Sequence, residues 1–385
     1  MRSRRSTIST IIAIAALTTA TACSQPNDDD GGGGGGGGGG NGGGGNAAAE
    51  EEVQQYLSPP EGIPLDEPLA ACPEEGRTIV VTENPQAVTR KTNDGLDAGA
   101  ELLGWTVIRE PVGTGPEDPQ RAFDAALDRN PDAVLVSGNP SSTFRSQLER
   151  ANAAGIPVLI SDNGEPVGVD GTTYTIGLDD FAQTGLWGRM NALYAASQGA
   201  EHVLVVNLSI YPILNAWAEG VEETMAEVAP DTAVTTIDPQ VSDLVGGNIP
   251  SLIVSEIQRN PDIDWVLLAL GDMTTGLDAA LRAASITDVN IGGESASTAN
   301  IEALRGGTED AWTGFAAEIH GMYRIDALAR IFAGEDPTGI EAYSELPTQL
   351  ITPDNVGDAP LDDEGYYVGV PDYRDHFEQN WRANC

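Results

Sequence analysis

Positive charge is scarce in this sequence. Its 385 residues include 59 acidic and 19 basic side chains, and the formal net charge at pH 7 is −40. Lys91 is the sole lysine, and the arginines form no basic patch along the chain. A nucleic-acid-binding protein uses such a patch to neutralise phosphates. The composition therefore excludes nucleic acid as a main partner.

Histidine and cysteine are also rare, with three of each. The histidines, at positions 202, 320 and 376, are far apart, and no two cysteines have CxxC spacing. These spacings favour no catalytic triad, zinc site or redox motif. No GxSxG motif occurs, and Gly113-Thr114-Gly115 is followed by Pro116 instead of completing a dinucleotide fingerprint. We therefore expect no catalytic residue, no metal and no cofactor, and a protein that is not an enzyme.

The first 23 residues have the layout of an export signal. Arginines begin the segment, and its apolar run at 11–17 is far shorter than the ~20 residues that span a bilayer. The following Ala20-Thr21-Ala22-Cys23 resembles the lipobox of bacterial lipoproteins, whose cysteine is acylated; an ordinary signal with a chance cysteine is the alternative. We expect residues 1–23 to be a lipoprotein signal peptide. Its lipid on Cys23 would be the only attachment to the membrane, at the outer face of the cytoplasmic membrane.

A glycine-rich tract follows the predicted lipid site. Fourteen of the 15 residues from Gly31 to Gly45 are glycine. Such a tract buries no apolar surface and behaves as a flexible coil. We therefore predict that residues 24–60 form a disordered tether between the membrane and a folded body.

The two remaining cysteines are Cys72, which precedes the first predicted strand, and Cys385, at the last position of the sequence. An exported protein folds in an oxidising compartment, where an even pair of cysteines favours a disulfide. We expect these two residues to be paired.

From residue 77 onward, short β-branched runs alternate with longer amphipathic stretches. Runs such as Ala133–Ser137 and Pro157–Ser161 are apolar almost throughout, which is typical of parallel strands covered by helices on both faces. The tripeptide Asn-Pro-Asp occurs at 130–132 and again at 260–262, each time between a predicted helix and a predicted strand, which suggests two similar lobes. We predict an α/β protein with two doubly wound parallel sheets.

In doubly wound sheets, ligands bind beyond the carboxyl ends of the strands. The residues that we expect there are acidic, amide-bearing or aromatic, and only Arg90 and Lys91 would bring positive charge nearby. The candidate ligand-binding residues are Glu83, Asn84, Asn139, Asp162, Asn163, Asn215, Trp217, Asp272, Glu294 and Phe315. Carboxylates and amides pair well with hydroxyl groups, and aromatic rings can cover a sugar's C–H face. We therefore expect a neutral, hydroxyl-rich ligand, with Asp162 as its main contact.

Several candidates also fit a plainer role. Asp162 and Asp272 could cap helices, and Asp272 fits a cap better because it precedes a predicted helix. Glu294 could be an ordinary surface carboxylate. Trp217 and Phe315 could belong to the core, where most aromatic side chains at such spacing lie. The asparagines could simply close turns.

The order of several motifs resembles a known family. The first half contains Ala-Gly-Ile-Pro-Val-Leu-Ile-Ser-Asp at 154–162, and the second contains Ile-Gly-Gly-Glu at 291–294 and Ala-Gly-Glu-Asp-Pro at 333–337. With Leu-Ile-Thr-Pro-Asp-Asn-Val at 350–356, these motifs resemble type 1 periplasmic binding proteins of the ribose- and galactose-binding kind, which serve ABC importers. The resemblance covers about residues 77–356.

The resemblance implies two lobes joined by a hinge. The N-terminal lobe would comprise 61–165 and about 316–347, and the C-terminal lobe and tail would comprise 166–315 and about 348–385. It also implies that Asp162 binds sugar hydroxyls. The chain departs from the family pattern after this aspartate, where the usual arginine is Asn163, and at two positions where an aspartate and a glutamine are expected but Glu294 and Phe315 occur.

The function that the resemblance implies is transport. The protein would be an exported, monomeric solute-binding lipoprotein that captures a small sugar or polyol between its lobes and delivers it to an ABC permease in the membrane. Two alternatives remain open, namely a sensor module that signals to a membrane kinase and a nucleoside-binding receptor. The export signal and the absence of a helix-turn-helix pattern exclude a DNA-binding repressor of the same superfamily.

Overall fold

The computed structural model describes residues 46–178 and 181–385. The predicted signal peptide, Cys23 and the glycine tract lie outside these described residues. Within the described ranges, no helix is both long enough and apolar enough to cross a membrane.

Two six-stranded sheets form the centre of the structure, and they confirm the predicted fold class. The strands of the first sheet are β1 Thr78–Glu83, β2 Thr106–Pro111, β3 Ala133–Ser137, β4 Val158–Ser161, β5 Gly168–Asp170 and β6 Thr173–Thr175. Those of the second are β7 His202–Val206, β8 Ala233–Ile237, β9 Trp265–Leu268, β10 Asn290–Gly293, β11 Ala311–Phe315 and β12 Thr348–Ile351. The spatial orders are β2-β1-β3-β4-β6-β5 and β12-β11-β10-β9-β7-β8. Neighbouring strands are parallel, except in the pairs β5–β6 and β11–β12.

Helices connect the strands and cover both sheets. They are α1 Ala47–Val53, α2 Ala87–Leu102, α3 Asp118–Asp128, α4 Arg145–Ala154, α5 Phe181–Ser197, α6 Pro212–Val228, α7 Val241–Val245, α8 Ile249–Arg259, α9 Leu277–Ala283, α10 Thr298–Gly306, α11 Ala317–Phe332 and α12 Tyr373–Arg382. Every residue of β3, β4, β7, β9 and β11 is buried. Such double-sided burial explains why these strands read as continuous apolar runs in the sequence.

The chain passes between two lobes several times. The first lobe contains β1–β6 and α2–α4, and the second contains β7–β12 and α5–α10. After β11 the chain returns to the first lobe, where α11 packs along α2, and α12 later contacts both of these helices.

Two of the predicted lobe boundaries differ from the structure. The predicted start of the second lobe at residue 166 is too early, because β5 and β6 extend the first sheet beside β4. The predicted assignment of the whole tail to the second lobe is wrong for α12, whose apolar residues Tyr373, Phe377 and Trp381 are buried and which packs on the first lobe. A spacing of four residues aligns these three side chains on one face of the helix.

Helices α2 and α11 approach each other unusually closely at two glycines. A Cβ atom on Gly95 would collide with the backbone of Glu318, and one on Gly321 would collide with the backbone of Thr92. Only glycine permits such a close approach of two backbones. This contact fixes the position of α11 against the first lobe, and therefore the side chains on either side of Gly321.

The N-terminal segment lies on both lobes, so the predicted disordered tether does not extend to residue 60. Helix α1 packs on α5 of the second lobe through the buried residues Ala49 and Val53, and its Glu52 pairs with Arg189 at 2.7 Å. Further along, Leu65 and Leu69 are buried. The backbone oxygen of Leu65 accepts a hydrogen bond from the α12 side chain Asn380. An apolar pair spaced by four residues within an alanine- and glutamate-rich helix supplies the packing that the glycine tract lacks.

A disulfide joins Cys72 to Cys385 in the structure, with the two Cα atoms 4.8 Å apart. The two residues are separated by 313 positions in the sequence. The bond therefore ties the end of the N-terminal segment to the residues that follow α12.

We predict that replacing both cysteines with serine will lower the free energy of unfolding by up to about 5 kcal/mol, because the cross-link restricts a very long loop of the unfolded chain. Denaturant unfolding of the exported protein and of the Cys72→Ser, Cys385→Ser double variant measures the difference. Reduction of the parent protein should reproduce the effect of the substitutions. Two free thiols in the native exported protein would contradict the pairing.

Candidate ligand-binding cleft

A cavity of about 90 Å³ lies between the two lobes. This volume is several times the minimum that one water molecule requires. The first lobe and α11 contribute Asn84, Gln86, Val88, Ser137, Asp162, His320 and Arg324 to its lining, and the second lobe contributes Thr184, Tyr211, Ile213, Leu214, Leu270, Glu294 and Phe315. The cavity therefore has room for several water-sized groups between polar and apolar side chains of both lobes.

Two residues that follow strands have an uncommon backbone conformation at this cavity. Asp162 comes directly after β4 and has φ +57°, and Ser295 comes two residues after β10 and has φ +56°. Residues other than glycine rarely adopt the left-handed region, and such residues concentrate at functional sites. The turns at the ends of these two strands thus bring Asp162 and Glu294 to the cavity.

A buried cluster of polar side chains surrounds Asp162. Arg324 donates a hydrogen bond to Asp162 Oδ2, and Ser161 Oγ donates to the same oxygen at 3.0 Å. His320 Nε2 lies 3.0 Å from Asp162 Oδ1, at an ion-pair distance but without the angle of a hydrogen bond. His320 and Arg324 are four residues apart on α11 and so share one face of that helix.

The cluster corrects the prediction that only Arg90 and Lys91 could bring positive charge to the site. Lys91 Nζ instead pairs with Glu318 at 2.7 Å and with Asp362 at 2.6 Å. Arg90 is exposed and donates a hydrogen bond to a nearby backbone oxygen. The cation that lines the cavity is Arg324.

Burial raises the pKa of Asp162, but the charge of Arg324, the charge that His320 carries only when it is protonated at low pH, and the hydrogen bond from Ser161 together outweigh burial and hold this pKa below its usual value. Asp162 is therefore ionised at neutral pH. Burial lowers the pKa of His320, Arg324 lowers it further, and Asp162 opposes them only in part. His320 is therefore uncharged at neutral pH, and Asp162 and Arg324 balance each other.

Glu294 is a buried carboxyl group at the same cavity. Its Oε1 accepts a hydrogen bond from Ser295 Oγ at 2.9 Å, and its Oε2 has no hydrogen-bond partner. Burial raises the pKa of Glu294 to about 8, and the hydrogen bond from Ser295 offsets this only in part. Glu294 is therefore mostly protonated at pH 7, which leaves the cavity without net charge.

Unpaired polar atoms concentrate at this cavity. Among the described residues, 13 buried side-chain nitrogen or oxygen atoms have no hydrogen-bond partner, and seven of them belong to residues that line it. These seven are Gln86 Oε1, Asp162 Oδ1, Thr184 Oγ1, Glu294 Oε2, His320 Nδ1, His320 Nε2 and Arg324 Nε. Buried polar atoms in proteins are nearly always paired, so such a concentration indicates a site that pairs with polar groups of a ligand.

The second lobe presents a mainly apolar wall to the cavity. Ile213, Leu214 and Leu270 line this side. Phe315 joins them, with its ring edge-on to that of Trp187 at 5.5 Å and to that of His320 at 5.3 Å. The polar groups of the first lobe and this wall together suit a molecule that has hydroxyl groups on one edge and C–H groups on the opposite face.

Two hydrogen bonds connect the lobes beside the cavity. Gln86 Nε2 donates to the Tyr211 hydroxyl at 2.8 Å, and the Ala87 backbone nitrogen donates to Asp272 Oδ2 at 2.8 Å. Since Ala87 begins α2, the Asp272 carboxylate accepts from a free backbone donor at that helix's N-terminus. Asp272 therefore caps a helix, which was the plainer of its two predicted roles, but the helix belongs to the opposite lobe. Asp272 also lies beside a smaller cavity of about 20 Å³.

The structure brings four of the candidate residues, Asn84, Asp162, Glu294 and Phe315, to the lining of the main cavity. The other candidates do not line this cavity, and most of their side chains already form hydrogen bonds or ion pairs with neighbouring groups. Glu83 pairs with an arginine of β2, Asn163 donates to a nearby glutamate, and Asn139 donates to a backbone oxygen two residues earlier. Asn215 lies in α6 and accepts a hydrogen bond from the asparagine that follows β7, and Trp217 is fully buried and donates to an asparagine of α5.

Gln86, Thr184, His320 and Arg324 also line the cavity, although the sequence pattern did not predict them as site residues. The composition of α11 could have indicated His320 and Arg324, because charged residues occur there within a helix that is otherwise apolar. A buried charge in a helix interior requires a partner, and such pairs often mark functional sites. No group of His, Cys, Asp and Glu side chains within the described ranges could hold a metal ion.

The chain belongs to the family described as the periplasmic binding protein domain, whose family model matches residues 78–336, more than half of the sequence. A D-apiose import binding protein of Actinobacillus succinogenes is 23% identical over 215 residues, which cover 56% of this chain and 68% of that protein.

Solved structures of binding proteins share the fold at low sequence identity. One from Mycobacterium smegmatis with bound glycerol has a TM-score of 0.63 and 18% identity, and the match covers 76% of this chain and 99% of the other. One from Agrobacterium vitis with bound alpha-D-tagatopyranose has a TM-score of 0.62 and 20% identity, with the same coverage. One from Acidothermus cellulolyticus with myo-inositol has a TM-score of 0.59 and 18% identity, over 79% of this chain and 99% of the other.

We predict that Glu294→Gln will change how stability depends on pH. The raised pKa means that the protonated carboxyl group contributes stability below its ordinary pKa of 4.5, and that this contribution is lost as pH rises to about 8. The Gln variant has no such proton to lose. The free energy of unfolding of the variant minus that of the parent should therefore increase by up to about 5 kcal/mol from pH 4.5 to pH 8, since each pKa unit corresponds to about 1.4 kcal/mol.

Urea unfolding of both proteins at several pH values, without added ligand, measures this gain. Glu302→Gln, at an exposed position of α10, serves as the matched control and should follow the parent. A difference between Glu294→Gln and the parent that is constant from pH 4.5 to 8 would show that Glu294 does not titrate as a buried acid.

Proposed function

We propose that this protein is a solute-binding protein that captures a small, neutral, hydroxyl-rich ligand between its lobes and delivers it to an ABC permease. The observation that carries the proposal is the set of seven unpaired polar atoms around a cavity whose charges cancel. Hydroxyl groups can both donate and accept, so a sugar or polyol can satisfy carboxylate, amide, imidazole and guanidinium groups together.

The similar proteins support this ligand class. The curated relative is described as importing D-apiose, and the solved structures hold glycerol, alpha-D-tagatopyranose and myo-inositol. All four compounds are neutral and carry several hydroxyl groups. Their shared chemistry agrees with the charge balance of Asp162, Arg324 and the protonated Glu294.

Binding would proceed by closure of the two lobes on the ligand. The polar groups of the first lobe would pair with hydroxyl groups, and the apolar wall of the second lobe would then cover the C–H face. Closure would form the two contacts between the lobes, from Gln86 to Tyr211 and from Ala87 to Asp272. Hinge closure around a ligand is how binding proteins of this architecture create a distinct surface for a membrane partner.

The proposal also places the protein outside the cytoplasm. We propose that it is exported, is held at the outer face of the cytoplasmic membrane by a lipid on Cys23, and acts as a monomer without catalysing a reaction. The layout of residues 1–23 supports the export and the lipid. A sensor module that signals to a membrane kinase would use the same cleft and differs only in its membrane partner.

A binding screen tests the ligand class. Thermal unfolding is measured with D-apiose, myo-inositol, D-tagatose, D-allose and glycerol, with D-glucuronate as the acidic comparison and adenosine as the nucleoside comparison. We expect at least one neutral polyol to raise the melting temperature, because a ligand that binds only the folded state stabilises it. Stabilisation by glucuronate or adenosine alone, or by none of the compounds, would contradict the proposed ligand class.

A further inference from the structure

We infer that Arg324, supported by His320, selects a vicinal diol on the ligand. The selecting side chains thus belong to helix α11 and not to a turn that follows a strand. The inference rests on the proposed function and specifies the chemistry of the same cavity. It assigns a ligand-binding role to two residues that the strand-end pattern does not predict.

The position of Arg324 is the first reason. Arg324 and His320 are 3% and 2% exposed, and both line the cavity. The close contact of α11 with α2 at Gly321 fixes the helix between them. A guanidinium group that is buried on a rigid helix and held on one side by Asp162 presents its remaining donors, Nε among them, in defined directions.

The unpaired atoms are the second reason. Arg324 Nε has no hydrogen-bond partner, and guanidinium nitrogens can only donate, so a ligand must bring an acceptor to it. Asp162 Oδ1 lies 3.0 Å from His320 Nε2 without a hydrogen bond between them, and as an ionised carboxylate oxygen it can accept one from a ligand. The two atoms belong to one ion pair, whose direct contact is between Arg324 Nη2 and Asp162 Oδ2. Two neighbouring hydroxyl groups would satisfy both at once.

The charge of Arg324 is the third reason. By neutralising Asp162, Arg324 allows a buried carboxylate to remain ionised and to accept strong, charge-assisted hydrogen bonds from the ligand. A carboxylated ligand would compete with Asp162 for the guanidinium and would face repulsion from Asp162. The pair should therefore favour neutral diols over acidic sugars.

Arg330 provides a matched control on the same helix. It is buried to the same extent as Arg324, and its Nε pairs with Asp326 Oδ2 at 2.8 Å. It is not among the residues that line the cavity. Arg324→Gln removes the ion pair with Asp162, and Arg330→Gln removes the pairs with Asp326 and Glu335, but only the first substitution removes a donor from the cavity.

The test measures the affinity of the parent, Arg324→Gln and Arg330→Gln proteins for each neutral polyol of the screen by calorimetry, after circular dichroism has shown that each variant is folded. Myo-inositol is tested together with its single-position deoxy analogues. We expect Arg324→Gln to weaken polyol binding at least tenfold and Arg330→Gln to change it less than twofold. We also expect one deoxy analogue to bind the parent at least tenfold more weakly than myo-inositol does, and this penalty to disappear in Arg324→Gln.

Other outcomes separate the inference from the function on which it rests. If the parent binds a neutral polyol and Arg324→Gln binds it equally well, or if both variants weaken binding to the same degree, the assignment of Arg324 is wrong and the proposed function stands. An undiminished deoxy penalty in Arg324→Gln would also overturn it. If no neutral polyol binds the parent, the proposed ligand class fails, and the inference fails with it.

Discussion

The ion pair between Asp162 and Arg324 is the interaction on which the cleft depends. It joins the turn after β4 to α11, two parts of the chain that are 162 residues apart in the sequence. Without Arg324, an ionised carboxylate in this buried position would be costly, and without Asp162 the buried guanidinium would lack its counter-ion. The pair therefore keeps two strongly polar groups at a cavity that has no net charge.

The charge of the cavity contrasts with that of the whole chain. A formal charge of −40 spread over the sequence would by itself favour a cation as the ligand, but the acidic groups at the cavity are balanced by Arg324 or neutralised by burial. Net charge of this size affects solubility and long-range attraction more than it affects recognition inside a closed cleft. The acidic surface and the ligand site are thus separate properties of the molecule.

Features that depend on local pattern could be predicted from the sequence. Continuous apolar runs identified the buried strands, and the rule that ligands bind at the carboxyl ends of strands selected Asp162 and Glu294, which line the cavity of the structure. The same rule could not reveal that Trp217 faces the core, because helix rotation depends on packing partners that are distant in sequence. It also could not reveal Arg324, whose position depends on the close contact of α2 and α11 at Gly95 and Gly321.

A crystal structure of the protein bound to the neutral polyol that stabilises it most would test the role of the ion pair most directly. We expect a ligand between the lobes, with one hydroxyl oxygen at about 2.7–3.2 Å from Arg324 Nε and a neighbouring hydroxyl at a similar distance from Asp162 Oδ1. Its C–H face should pack on Leu214 and Phe315. A ligand bound outside this cavity, or one that contacts neither member of the ion pair, would contradict the account.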